Sequence, residues 1–410
     1  MTRLGRLTHS RTIFVSFLIA VLLSGCTITI DLPVGTPTPR GGRAPTTPAS
    51  DSVDVTNTPR SARATRTPRS KSTSTKPTKT PKSSKTPATK PTRTPRAGQP
   101  AALPSGIGAT NVEMIVLPDD GVDGLADMIR SARKRVYLKI YLLTEEKIFA
   151  ALEDRHAAGL DVKVLIEPSP LGGASSARAA QTRLRDAGID VKTANPAFRL
   201  THEKSFVIDD MVIILTSNMT RGSFTRNREF GVITRDPTDV KEVVKCFDAD
   251  WNREAFVPQA PNLVWSPDNS RTKIDALIVG AQRTLDVYAA STLDDEQLGL
   301  LAAARKRGVV VRVITTDRSS GNSEDAAAGD LDRLQRARVK VRYMQSPLVH
   351  AKVFLADYGE PNALAFVGSV NITTQSLDFN RELGILLADQ NAHARIHDTF
   401  EIDWQRSVDR

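Results

Sequence analysis

The chain has 410 residues, 40% hydrophobic and 25% charged, with a formal net charge of +10. This length allows one large domain or two medium ones. The positive charge is concentrated near the N-terminus: residues 34–100 carry 14 Lys and Arg against two Asp, whereas residues 101–410 carry a net charge of −4. The basic balance therefore gives little support to a nucleic-acid groove on the folded part. Two cysteines, Cys26 and Cys246, are too few for a disulfide framework or a cysteine-based metal site.

The first 26 residues have the organisation of an export signal. Three arginines precede an apolar run over residues 13–23, which is too short to span a membrane comfortably as a permanent helix. The run leads into Leu-Ser-Gly-Cys at residues 23–26, which resembles the lipobox of bacterial lipoproteins. We expect residues 1–25 to be a signal peptide and Cys26 to be lipidated, which would hold the protein on the extracytoplasmic face of a membrane. A plain secretory signal or an uncleaved anchor is the alternative.

Residues 26–105 are predicted to form a disordered tether. Most of this segment is rich in Thr, Pro, Ser, Lys and Arg and offers few apolar side chains to bury. Cations recur every third residue from Arg60 to Arg69 and from Lys76 to Lys85, which matches the three residues per turn of polyproline II. We interpret the segment as a solvated spacer; an electrostatic strap to anionic lipid or cell-wall polymer is the alternative.

The remainder of the chain is an internal repeat. A stretch around Gly159 recurs around Gly308, and later pairs such as Trp251 and Trp404 are 153 residues apart. The offset grows because the second copy has a longer Gly- and Pro-containing connection after Asp357. The predicted repeats are residues 106–258 and residues 259–410.

Helical and extended patterns alternate within each repeat. The first repeat predicts helix, strand, helix, strand and helix at Val122–Arg135, Val136–Leu142, Glu146–Ala158, Val162–Glu167 and Ser175–Ala187. The second predicts the same order at Thr272–Arg283, Leu285–Ala289, Asp295–Lys306, Val309–Thr315 and Asp325–Ala337. Two further strands and a C-terminal helix ending in Trp complete each copy. This order predicts an α/β fold with two similar mixed-sheet halves, helices covering the sheets, and a site at their pseudo-two-fold interface.

Each repeat contains the pattern His-x-Lys-x-x-x-x-Asp. Residues i and i+2 of a strand share a face, so the His and Lys of each copy should project together, whereas the Asp should lie in a turn or point away. The pattern consists of His202, Lys204 and Asp209 in the first copy, and of His350, Lys352 and Asp357 in the second. Further polar residues follow at Ser217, Asn218 and Glu229, and at Ser369, Asn371 and Glu382. The Asn-to-Glu spacing is 11 in both copies.

With these motifs, residues 108–410 resemble the phospholipase D superfamily, the HKD enzymes. The resemblance implies cleavage of a phosphodiester through a phosphohistidine, with His202 as nucleophile and His350 as general acid and base. Lys204 and Lys352 would neutralise the non-bridging oxygens, so no metal or other cofactor is implied.

The resemblance also implies roles for the other motif residues. Phosphate-binding groups would be Ser217, Asn218, Ser369 and Asn371. Glu229 and Glu382 would orient the histidines. Asp209 and Asp357 belong to the catalytic motif, where we expect them to brace its turn. The first copy departs from the family pattern Gly-Ser-x-Asn at residues 216–218, where the Asn comes one residue early.

These motifs specify phosphodiester chemistry and leave the substrate open. The expected membrane tether, the acidic folded part and the apolar residues beside the histidines favour a phospholipid, so we predict a phospholipase D-like hydrolase of headgroup esters. The alternatives are an extracytoplasmic non-specific endonuclease, a phosphatidyl transferase similar to cardiolipin synthase, and an inactive surface phosphate-binding protein. A monomer is expected because both motifs lie in one chain. Cys246 is predicted to be a buried structural thiol, and His393 a surface residue.

Overall fold

A computed structural model describes residues 101–290, 293–316 and 331–409. The predicted signal peptide, Cys26 and the tether up to residue 100 lie outside these residues. The described part contains two mixed sheets covered by helices, one from each repeat, which confirms the predicted α/β fold.

The elements of the two halves follow one another in the same order. The first half contains β1 (Glu113–Leu117), α1 (Asp123–Arg130), β2 (Arg135–Ile140), α2 (Glu146–Ala157), β3 (Asp161–Ile166), α3 (Ala174–Asp186), β4 (Asp190–Thr193), β5 (Ser205–Ile208), β6 (Met211–Leu215), α4 (Arg221–Thr225), β7 (Asn227–Thr234) and α5 (Pro237–Asn252). The second half contains β8 (Leu263–Ser266), α6 (Ser270–Gly280), β9 (Thr284–Ala289), α7 (Asp295–Lys306), β10 (Val310–Thr316), helical residues 331–336, β11 (Lys340–Met344), β12 (Leu348–Val349), β13 (Val353–Ala356), β14 (Leu364–Gly368), α8 (Thr374–Asp378), β15 (Glu382–Leu387) and α9 (Gln390–Arg406).

Both sheets have the same strand order. It is β4-β3-β2-β5-β6-β7-β1 in the first half and β11-β10-β9-β13-β14-β15-β8 in the second. Strands β2, β3 and β4 are parallel, and β5 enters antiparallel beside β2. The motif strands β5 and β13 therefore occupy the centre of their sheets.

The halves exchange backbone contacts at the residues that precede the motif histidines. Strand β12, which ends immediately before His350, pairs with the start of β7 in the first half. Thr201, immediately before His202, makes an isolated bridge to Arg381 in the second half. Each motif segment is thus held against the other half.

Apolar side chains form one core between the halves and an outer core within each half. The central core contains Phe230 and Phe247 from the first half, and Trp265, Tyr288 and Phe400 from the second. Burial of these large side chains from both copies is the main source of stability that unites the halves, because the apolar area removed from water is large.

Several sequence predictions differ from the structure at the edges of elements. Strands β1, β4, β8 and β11 were not predicted, because short apolar runs are ambiguous between helix and strand. Helix α1 ends at Arg130 rather than Arg135, since the backbone N–H groups of residues 133–135 bind the carboxylate of Asp209. Leu103, predicted to lie in the tether, packs against the outer core of the second half. His393 is buried and bonds to the carbonyl oxygen of Leu387, so its predicted surface position is wrong.

In the three described ranges, no helix combines the length and the apolar content needed to cross a membrane.

Candidate active site

The two motif histidines lie at the ends of loops that enter the central strands β5 and β13. Each lysine amine donates a hydrogen bond to the carbonyl oxygen of the histidine two residues before it, at 2.5 Å in both copies. Lys204 and Lys352 are each 1% exposed. Their positive charges are therefore fixed beside the imidazoles and shielded from bulk water.

The glutamates that contact the histidines come from the opposite half. Nδ1 of His202 lies 2.8 Å from Oε2 of Glu382, and Nδ1 of His350 lies 2.7 Å from Oε1 of Glu229. Both carboxylates are fully buried. An ionised carboxylate can only accept, so each neutral imidazole carries its proton on Nδ1 and offers Nε2 for chemistry.

Backbone hydrogen bonds fix the same crossed arrangement. The N–H groups of His202 and Glu203 donate to the carbonyl oxygen of Arg381, and those of His350 and Ala351 donate to that of Arg228. The Asn-Arg-Glu tripeptide of each half therefore binds the backbone of the histidine segment of the other half.

The two arginines of these tripeptides make buried ion pairs across the halves. Nε of Arg228 lies 2.7 Å from a carboxylate oxygen of Asp403, and Nε of Arg381 lies 3.2 Å from one of Asp250. Asp250 and Asp403 occupy equivalent positions in the two copies. These pairs hold each tripeptide against the opposite half, since a buried charge without its partner is strongly destabilising.

Charged groups of both motifs act on each imidazole, in agreement with the crossed hydrogen bonds. Burial lowers the pKa of His202 to about 4, although Glu382 acts to raise it; the charges of Lys204 and Lys352 lower it further. The pKa of His350 is also lowered, mainly by burial and in part by Lys352 and Lys204. Each imidazole thus responds to the lysine of the opposite half, which requires proximity in a poorly solvated site.

The same charges keep the glutamates ionised. Burial acts to raise the pKa of Glu229 and of Glu382, but the facing histidine and lysine outweigh it and the pKa of each carboxyl is lowered. The pKa of Lys204 lies well below its ordinary value, because its burial outweighs the glutamate charges. The site thus combines two buried ionised carboxylates with two buried lysine amines, and a bound anion would favour the protonated form of those amines.

The comparison with known proteins agrees with this geometry. The family described as "Cardiolipin synthase, PLD-like domain" matches residues 125–251 and, a second time, residues 274–404. The chain belongs to the phospholipase D superfamily. Each of the two matches contains one histidine of this phospholipase D-like site, so the repeat inferred from the sequence is the family domain present twice.

Individual relatives of this phospholipase D-like chain are distant. A probable cardiolipin synthase of Bacillus subtilis is 21% identical over 341 residues, which cover 73% of this chain and 67% of that protein. A phospholipase D of Rickettsia bellii is 32% identical over 114 residues, which cover 27% of this chain and 54% of that protein. The solved phosphatidylserine synthase of Haemophilus influenzae superposes with a TM-score of 0.54 at 16% identity, covering 75% of this chain and 88% of that one. This last likeness concerns the fold alone.

The predicted phosphate-binding residues of the phospholipase D-like site lie after β6 and β14. Asn218 and Asn371 occupy equivalent, half-buried positions, and Oδ1 of Asn218 has no hydrogen-bond partner among the described residues. The hydroxyl of Ser369 donates to the carbonyl oxygen of Leu383 and accepts the N–H of the same residue. Ser369 thus joins β14 to β15, and its predicted contact with phosphate stays a prediction.

Thr216 was not among the predicted site residues. It occupies in the first half the position that Ser369 occupies in the second. Its hydroxyl donates to Glu229 at 2.7 Å and accepts the N–H of Phe230 at 2.9 Å. Ser217 instead corresponds to Val370, which belongs to the outer core of the second half. Thr216 therefore contacts the glutamate that is paired with His350. The phosphate-binding role of Ser217 stays a prediction, and its buried hydroxyl has no hydrogen-bond partner among the described residues.

The two motif aspartates lie at the far ends of β5 and β13 from the histidines. Asp209 and Asp357 adopt positive φ angles of 53° and 54° in the turns that follow these strands. The carboxylate of Asp357 accepts backbone N–H groups of residues 282–284, and that of Asp209 accepts those of residues 133–135. Their place in the catalytic set is corrected: they brace the turns, as expected from their parity, and hold the central strands in position.

A buried polar network of the first half adjoins the motif of His202. At the equivalent positions of the second half, Tyr288 and Ala351 replace its Lys139 and Glu203. Nζ of Lys139 lies 3.0 Å from Glu203 and 2.7 Å from Asp250, and also contacts the thiol of Cys246. The ammonium group fills the space between these three potential metal ligands. Cys246 is fully buried, as predicted, and burial raises the pKa of its thiol.

Proposed function

We propose that the protein is a phosphodiesterase of the phospholipase D type that releases phospholipid headgroups through a phosphohistidine intermediate. The observation that carries this proposal is the crossed pairing of two histidines with two buried glutamates, with a buried lysine beside each histidine. This arrangement supplies a nucleophile, an acid and a receptor for a phosphate anion in one place.

In the first step, Nε2 of His202 attacks phosphorus. A bond forms between nitrogen and phosphorus while the bond from phosphorus to the headgroup oxygen breaks. His350, which is protonated on both ring nitrogens at the start, gives its Nε2 proton to that oxygen, and the headgroup leaves as a neutral alcohol. The developing charge on the non-bridging oxygens is stabilised by Lys204 and Lys352.

In the second step, neutral His350 accepts a proton from water as the water oxygen attacks phosphorus. The bond between Nε2 of His202 and phosphorus breaks, and phosphatidic acid is released. Glu382 stabilises the positive charge that His202 carries on its ring during both steps, and Glu229 does the same for His350. The enzyme returns to its starting protonation state, so no external acid or metal is consumed.

A lipid substrate is supported by the apolar residues beside the histidines. Leu171 is 94% exposed, and its backbone N–H is bound by the hydroxyl of Tyr141, whose ring contacts His202. Leu348, two residues before His350, is 45% exposed. Large exposed leucines of this kind favour contact with an apolar surface. The acidic balance of residues 101–410 argues against the alternative of a nuclease, whose affinity would rest on phosphate contacts.

Phosphatidyl transfer is the second candidate, supported by the similarity to a probable cardiolipin synthase. Transfer differs from hydrolysis only in the second step, where an alcohol replaces water as the acceptor. The side chain of His350 is 28% exposed, whereas that of His202 is 11% exposed. Access of water to the group that would activate the acceptor supports hydrolysis.

The test uses the full-length chain with vesicles of phosphatidylcholine or phosphatidylglycerol and, separately, with supercoiled plasmid. We expect headgroup release from vesicles, loss of that release in His202→Asn, and a phosphorylated peptide containing residue 202. His156→Asn, a histidine change on α2, is the matched control and should retain activity. Cardiolipin formation without headgroup hydrolysis would support the transferase, plasmid nicking alone the nuclease, and no turnover the binding protein.

Export and lipid anchoring form a separate part of the proposal. They rest on the leader pattern and Cys26 alone. The expected result is that Cys26→Ser moves the protein from the membrane fraction to the soluble exported fraction without changing its activity on a soluble diester. Retention in the membrane fraction would refute anchoring at Cys26.

A further inference from the structure

The two halves of the site differ at the residue that follows β2 and β9, the strands beside the motif strands. Tyr141 follows β2, and the equivalent residue after β9 is Ala290. The ring of Tyr141 meets that of His202 edge-on, with 4.8 Å between centroids and 72° between planes. In the part of the chain that the structure describes, His350 has no aromatic contact of this type.

Tyr141 makes two further contacts that the methyl side chain of Ala290 is too small to make. Nζ of Lys204 lies 5.1 Å from the centroid of the tyrosine ring, within the range of a cation–π interaction. The tyrosine hydroxyl accepts the backbone N–H of Leu171 at 2.6 Å, which ties the loop between β3 and α3 to this side chain. One side chain thus contacts the imidazole, the lysine and that loop.

We propose that Tyr141 is the positioning residue that makes the two histidines chemically unequal. It packs against His202, limits access of water to that imidazole and holds Lys204 beside it, so that His202 serves as the nucleophile and the more accessible His350 as the acid and base. This inference rests on the proposed function for its catalytic consequence, whereas its structural content concerns His202 alone.

The environment of His202 predicts the direction in which the pKa of this imidazole should change when Tyr141 is replaced. The charged groups that act on its ring are Glu382 from β15, Lys204 from its own motif and Lys352 from the other half. Burial is the largest influence and lowers the pKa of the imidazole to about 4. Removal of the tyrosine ring leaves these charges in place and lets water reach the imidazole, so the pKa of His202 should rise towards its ordinary value.

The experiment compares Tyr141→Leu with the wild-type chain on a soluble phosphodiester. We expect kcat to fall about tenfold and the acidic limb of the pH profile of kcat/KM to move up by about one pH unit, the size of one lost contact of this kind. Tyr141→Phe retains the ring and should keep the wild-type acidic limb. Tyr141→Met fills a similar volume without an aromatic face and repeats the test if the leucine variant does not fold.

Tyr137→Leu is the matched control. Tyr137 lies four residues earlier on β2, is also buried, and bonds through its hydroxyl to Asp161, away from the motif histidines. Its loss should lower thermal stability and leave the pH profile in place. An equal shift of the acidic limb in this variant, or no shift in Tyr141→Leu and Tyr141→Met, would overturn the proposal.

Failure of the proposed function can be told apart from failure of this inference. A wild-type chain that cleaves no phosphodiester would refute the function. The titration of His202, followed by NMR and assigned with His202→Asn, would still show whether Tyr141→Leu raises the pKa of that imidazole.

Discussion

Replacement of Glu382 by glutamine would remove a buried negative charge 2.8 Å from Nδ1 of His202 and keep the shape of the side chain. A hydrogen bond with one charged partner contributes about 1.5–3 kcal/mol. Since about 1.4 kcal/mol corresponds to a factor of ten in rate, we expect kcat/KM to fall about 10- to 150-fold. Glu229→Gln should have an effect of similar size through His350, because the two pairs have nearly the same geometry.

The two variants should act on opposite limbs of the pH profile. Glu382 raises the pKa of His202 against the effect of burial, so its loss lowers that pKa below about 4. A nucleophile must be unprotonated, and the acidic limb should therefore move to lower pH. Glu229 likewise supports the protonated form of His350, whose pKa already lies below 6.5. The general acid must be protonated, so Glu229→Gln should move the falling limb to lower pH.

The assay is kcat/KM for a soluble phosphodiester across the acidic and neutral range. Glu242→Gln is the control, since Glu242 is a buried carboxylate that binds Nε1 of Trp265 rather than a histidine. The opposite assignment, with the acidic limb moved by Glu229→Gln, would make His350 the nucleophile. Unchanged limbs and rates in both variants would refute the view that the crossed carboxylates set the chemistry.

Three further predictions concern the substrate, the interface and metals. Leu171→Ser and Leu348→Ser should reduce headgroup release from vesicles and spare cleavage of a soluble diester. The control is Val310→Ser, which should affect neither activity, because Val310 is 42% exposed at the start of β10 and the other end of that strand contacts the His350 segment. Equal loss on both substrates would contradict a lipid contact. Asp403→Ala removes the buried partner of Arg228 and should lower the free energy of unfolding by about 3–5 kcal/mol in denaturant titrations; a change below about 1 kcal/mol would be typical of an exposed pair instead. EDTA should leave activity within about twofold, since the lysines supply the positive charge; a loss that a divalent cation restores would show that a metal takes part.

The sequence alone was sufficient for the repeat and the α/β class. These features follow from local periodicity and from residues that recur at a fixed offset. The edge strands β1 and β8 were missed because four or five apolar residues are compatible with either a helix or a strand.

The crossing of the histidine–glutamate pairs could not be predicted from spacing. Glu229 and Glu382 occur at the same interval after the Asn of each copy, so pairing within a half and pairing between halves give the same pattern. The choice depends on how the two sheets face each other, which is a property of the central core.

Thr216 can be recognised from the sequence as the counterpart of Ser369. The interval from the motif aspartate hides this equivalence, because the connection after Asp357 is longer than the one after Asp209. Counted back from the glutamates, Thr216 and Ser369 are both 13 residues away, and the equivalence is clear.

The crossed pairing of each histidine segment with the tripeptide of the other half limits which substitutions the chain can accept during evolution. Neither copy holds a complete reaction centre, so an inactivating change in one abolishes the contribution of both. The shared set is therefore under joint constraint, while positions outside it can diverge between the copies. Lys139 corresponds to Tyr288, and Glu203 corresponds to Ala351, so the side chains differ at these positions although the backbone arrangement is the same.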